Sequence, residues 1–157
     1  MTNNDILRRI RYALDISNPG MISIFSLSGH VIEKSALESL LKKEDEPGYL
    51  DCGNDLMRLF LDSLIIFKRG RKDTLPIHFA EPGAALTNNS ILKKLRIALE
   101  LKEEDMIKIM KLVSIDISKS ELSALFRNRG HKNYKECGDQ FLRNFLKGLT
   151  IRNRNVS

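Results

Sequence analysis

One stretch of this chain is written twice, and nothing else in it constrains the fold so tightly. Asn3-Asn4-Asp5-Ile6-Leu7-Arg8-Arg9-Ile10-Arg11-Tyr12-Ala13-Leu14 returns, 85 residues later, as Asn88-Asn89-Ser90-Ile91-Leu92-Lys93-Lys94-Leu95-Arg96-Ile97-Ala98-Leu99. The register still holds far downstream. Tyr49, Cys52, Gly53, Arg58, Phe60, Leu61 and Leu64 recur as Tyr134, Cys137, Gly138, Arg143, Phe145, Leu146 and Leu149. About 24 of 64 aligned positions are identical without a net insertion, so each copy is one structural unit. At roughly 65 residues a copy is close to the smallest size that encloses its own core. The two copies are therefore expected to share apolar surface and pack into one pseudo-symmetric body.

Within each copy the apolar residues recur at helical spacing, and no segment alternates like a strand. The fold class that follows is all-α, a tandem duplicated four-helix repeat. The first helix is expected over about 4–15 with Asn4 as N-cap, burying Ile6, Leu7, Ile10, Ala13 and Leu14. Asn18-Pro19 reads as a cap followed by proline at the first helical position. The helix behind it buries Met21, Ile22, Ile24, Phe25 and Leu27, and Gly29 stops it. Its counterpart uses Met106, Ile107, Ile109, Met110 and Leu112. Ser118-Lys119-Ser120-Glu121 has the spacing of a capping box and opens the third helix of copy two, matched by about 33–41 in copy one. The fourth helix starts near Cys52 or Gly53 and carries Leu56, Met57, Phe60, Leu61 and Leu64. Phe141, Leu142, Phe145, Leu146 and Leu149 repeat that stripe.

The organisation is then a first helical repeat over 1–73, a linker over 74–87 and a second repeat over 88–157. Pro76, Pro82 and Gly83 argue against a helix in the linker, while Leu75, Ile77 and Phe79 alternate and can pin it to the body. No apolar run approaches the roughly 18 residues of a membrane span. The start of the chain has neither the basic residues nor the apolar stretch of a signal peptide, so a cytoplasmic location is expected. There, Cys52 and Cys137 are expected as reduced, buried thiols, although a disulfide between equivalent positions is conceivable.

Catalytic signatures are missing. No Gly-rich phosphate loop, Gly-x-Ser-x-Gly or dinucleotide fingerprint occurs, and the three histidines form no ligand pattern. No enzyme, cofactor or metal site is expected. Glu44, Asp45 and Glu46 stand beside Lys42, Lys43 and Pro47-Gly48 and read as a solvated turn. Tyr49 and Tyr134, at one shared position, are expected to pack.

Charge separates the copies. The net charge is +6, yet residues 1–73 carry about 11 basic and 11 acidic groups against about 15 and 8 over 88–157. Clustered Lys and Arg supply the sequence-independent part of nucleic-acid affinity. The basic second repeat is thus the place to look for it.

The whole chain resembles the YehS-like bacterial family of uncharacterised proteins, a domain of unknown function. The matching pieces are Asn3 to Arg8, Lys42-Lys43-Glu44-Asp45, Gly70 after Lys68-Arg69, Leu92 to Ala98, and His131-Lys132-Asn133-Tyr134 leading into Glu136 to Arg143. The resemblance implies no activity, substrate or site residue.

The order of elements in copy two also resembles a repressor-type helix-turn-helix domain. Leu92 to Leu99 matches the opening helix, Glu103 to Met110 the helix that crosses the backbone, and Ser118 to Leu125 the recognition helix. The turn Val113-Ser114-Ile115-Asp116-Ile117 departs from that pattern, being apolar and longer than the usual 3–4 residues. The resemblance implies that Lys119 reaches base edges or phosphates, with Arg127, Arg129 and Lys132 meeting phosphates just beyond. DNA or RNA is then the expected partner. The alternative is a protein-interaction or scaffold module without nucleic-acid binding, whose repeat faces serve packing; separately, the acidic loop at Glu44, Asp45 and Glu46 can dock on the basic loop of another molecule to make a dimer.

Overall fold

A computed structural model describes residues 1–70 and 85–154. Among them are eight helices and no strand: α1 (Asn3–Ala13), α2 (Asn18–Ser26), α3 (Lys34–Leu40), α4 (Asn54–Arg69), α5 (Asn88–Ala98), α6 (Glu103–Lys111), α7 (Lys119–Leu125) and α8 (Asp139–Arg154). The all-α duplicated repeat is what the periodicity predicts. Leu75, Ile77 and Phe79, with most of the expected linker, lie outside the described residues.

Two caps differ from the sequence expectation. Thr2, not Asn4, caps α1, because its hydroxyl accepts from the Asp5 amide while the Asp5 carboxylate accepts from the Thr2 amide. That reciprocal box needs an acid three residues on, and only Thr2 has one there. Asn4 is released to point into the core, 1% exposed. In the same way Ser17, not Asn18, caps α2, which moves Pro19 to the second helical position. The capping box at Ser118 forms as expected, with both bonds to Glu121 in place.

Helix pairing crosses between the copies. α2 packs on α3 and α4 within copy one, and α6 on α7 and α8 within copy two. The first helix of each copy, however, packs more extensively on the last helix of the other: α1 on α8, and α5 on α4. The Met1 ammonium lies 3.0 Å from Asp139 at the head of α8. At the far end the Arg154 Nε donates to the Tyr12 carbonyl at 2.7 Å, so α1 and α8 run parallel. One continuous apolar core results, with residues of both copies in it.

Phe60 and Phe145 are fully enclosed at 0% exposure, and the Phe60 ring meets Phe25 at 5.3 Å between centroids. Met57, Leu61, Leu64, Leu142, Leu146 and Leu149 are buried beside them. Leu56 and Phe141 are only half-buried, packed against the edge of the core while their neighbours Met57 and Leu142 are enclosed. Leu112, expected inside, is 46% exposed, since α6 ends one residue before it.

The α6/α8 crossing is unusually close at Gly148, where an added Cβ would stand 2.4 Å from the Ile109 carbonyl oxygen. Ser63 occupies the equivalent place in copy one. It is fully buried, with its hydroxyl 2.8 Å from the Leu59 carbonyl and 2.6 Å from the Ser28 hydroxyl.

Candidate nucleic-acid interface

The loop after α7 is held by a side chain from the start of the repeat. Asn89 donates through Nδ2 to the carbonyls of Leu125 and Lys135, each at 2.9 Å, and its Oδ1 accepts from the Cys137 amide at 2.8 Å. One amide thus joins the end of α7, the loop and the approach to α8. Asn4 makes the same three bonds in copy one, to Leu40, Leu50 and Cys52, and accepts a fourth from the Tyr49 hydroxyl. Asn88 and Asn3 add bonds to the Cys137 and Cys52 carbonyls. The doubled asparagine was visible as a repeat but not as a structural clamp. Its signal was an identical polar pair opening an apolar helix face in both copies.

The two loops share their backbone hydrogen bonds. In copy two the amides of His131, Tyr134 and Lys135 donate to the carbonyls of Asn128, His131 and Ala124. In copy one the equivalent amides of Glu46, Tyr49 and Leu50 donate to Lys43, Glu46 and Ser39. On this common frame the charge is reversed. Arg129, His131 and Lys132 stand where copy one has Glu44, Glu46 and Pro47, and all six are exposed.

The four predicted site residues are not equivalent. Lys119 is exposed at the first position of α7, while Arg129 and Lys132 are exposed on the loop. Arg127 is half-buried, with its Nε shielded from solvent and without a hydrogen-bond partner. It stands next to Phe126, whose ring packs 4.6 Å beneath the Arg96 guanidinium. Arg127 is therefore less accessible than the other three. None of the ion pairs among the described residues uses Lys119, Arg127, Arg129 or Lys132.

Cys52 and Cys137 are free and buried. Burial pushes their thiols up from 9.0, to about 12 and about 11 respectively, with a nearby aspartate adding to each. Neither is a ready nucleophile at neutral pH. No group of three or more His, Cys, Asp or Glu that could hold a metal ion occurs among the described residues, and no helix there is long and apolar enough to cross a membrane.

Fold and loops together define a class: an all-α protein of two tandem repeats whose equivalent loops have diverged in charge. A family model described as "Protein of unknown function (DUF1456)" matches residues 3–70 and again 88–155, and the chain belongs to that family. It is 41% identical over 152 residues to the uncharacterized protein YehS of Escherichia coli (strain K12), covering 97% of this chain and 96% of that one. No solved structure matches it.

Proposed function

We propose that this is a cytoplasmic nucleic-acid-binding or regulatory protein that acts by binding rather than catalysis, through its second repeat. One observation carries the reading: two loops with the same backbone hydrogen bonds hold opposite charge, and among the described residues no carboxylate is ion-paired with Arg127, Arg129 or Lys132 of the basic one. A structural requirement would act on both loops alike, so the divergence points to a partner met by one loop. Exposed cations on a fixed frame suit phosphates, which are neutralised by Lys and Arg at little ordering cost. In the helix-turn-helix reading α7 enters the major groove by its N-terminal end, where Lys119 and Ser120 project.

Mobility shift of generic duplex DNA and RNA at about 50 mM salt, where phosphate contacts are strongest, tests this directly. The wild-type chain is expected to retard at least one of them, and Arg129→Glu with Lys132→Glu to release it. No retardation at that salt overturns the reading. A second reading rests on the same divergence, with the exposed Glu44-Asp45-Glu46 loop of one molecule seated on the basic loop of another. It predicts a salt-sensitive dimer in sedimentation that the same double variant dissociates.

A further inference from the structure

The two seams between the copies are built from equivalent helices, and in the middle of each the charges differ. In the α4/α5 seam Arg69 pairs with Glu100 at 3.3 Å, and in the α1/α8 seam the equivalent Arg154 pairs with Asp15 at 3.0 Å. Lys94 also pairs with Asp62 across the α4/α5 seam, at 2.5 Å. The equivalents of that pair in the other seam are Arg9 and Lys147, two cations. Both are exposed, and neither has a hydrogen bond or ion pair among the described residues. They line one groove of about 290 Å³ with Arg8, Tyr12, Leu146 and Thr150. Tyr12 and Thr150 bring hydroxyls to positions that Ile97 and Ile65 hold in the α4/α5 seam.

We propose that the α1/α8 seam is an oxyanion site, which takes a phosphoryl group between Arg9 and Lys147. Two cations across a packed seam repel each other, so an anion between them supplies what Asp62 supplies to Lys94. The Arg8 charge is already engaged, by Asp5 and the Lys42 carbonyl, which leaves Arg9 and Lys147 as the groove's open cations. Thr150 already donates, to the Leu146 carbonyl at 2.8 Å, and offers a ligand only an acceptor, whereas the half-exposed Tyr12 phenol can donate. The groove is built from both repeats and is separate from the basic loop, so its test does not depend on that loop.

Lys147→Asp is the informative change, because it copies the α4/α5 seam and creates a pair that the fold already accommodates. In calorimetric titration with inorganic pyrophosphate at low ionic strength, the full-length wild type is expected to bind and Lys147→Asp to bind about tenfold more weakly or not at all. The variant should melt no lower than wild type; if it does, Arg9→Gln carries the same test. Duplex DNA in parallel separates the sources. A joint loss of DNA affinity, with the salt slope reduced by about one, assigns the site to a nucleic-acid backbone. A loss confined to pyrophosphate assigns it to a free phosphorylated compound. Wild-type protein that binds neither probe, or variants that bind both as wild type does, overturn the proposal. That holds even if Arg129→Glu with Lys132→Glu still abolishes DNA retention.

Discussion

Replacing Asn4 with alanine tests the central structural argument, that a buried amide holds each loop in place. Two of its bonds, Nδ2 to the Leu40 carbonyl and Oδ1 from the Cys52 amide, are fully buried at 2.9 Å. The other two, to the Leu50 carbonyl and from the Tyr49 hydroxyl, are partly buried, and water can replace them. A buried donor and a buried acceptor left unsatisfied cost about 1–3 kcal/mol each. The higher helix propensity of alanine offsets about 0.5 kcal/mol of that. The net loss is about 2–5 kcal/mol, a large part of the 5–15 kcal/mol typical of a domain. At about 2–4 °C per kcal/mol for a chain of this size, the melting midpoint should fall by roughly 5–20 °C. Urea unfolding followed by circular dichroism gives the free energy, and a thermal scan gives the midpoint. Asn89→Ala, which loses the three backbone bonds but no tyrosine bond, should cost somewhat less. Asn3→Ala, whose bonds are only partly buried, should stay near an ordinary hydrogen bond, about 0.5–1.5 kcal/mol. A loss at Asn4 no larger than that at Asn3 would refute the clamp.

Further outcomes follow from the core, the crossing and the buried thiols. Phe60→Ala or Phe145→Ala removes a fully enclosed ring and should cost roughly 3–5 kcal/mol in the same urea assay. Gly148→Ala should destabilise by about 1–3 kcal/mol despite its better helix propensity, because its Cβ meets a backbone carbonyl that has no rotamer to yield; a stabilised variant would mean that α6 and α8 separate freely. The thiol shifts predict alkaline weakening. Each folded pKa lies above the unfolded one, so stability is full below about 9 and declines as pH rises toward about 11 for Cys137 and about 12 for Cys52. Melts of wild type and of Cys52→Ala with Cys137→Ala across pH 8 to 11 check it, the variant being expected to show a shallower decline.

Local chemistry made much of this protein legible in the linear chain. The 85-residue register, the four apolar stripes per copy and the Ser118 box depend on spacings of a few residues, which read directly from sequence. The charge of the two loops is a matter of composition and read equally well. Other features needed distant segments to meet. Asn4 looked like a cap because asparagine favours that position, and only the arrival of the Leu40 and Cys52 backbone makes it a buried clamp. Gly148 carried no signal until α6 crossed over it. The pairing of α1 with α8 and α5 with α4 was also beyond the sequence. Duplication gives α4 and α8 nearly the same apolar stripe, so hydrophobic pattern alone does not choose which first helix each receives. The choice fell to side-chain packing across the whole body, and it is that pairing which brings Arg9 opposite Lys147.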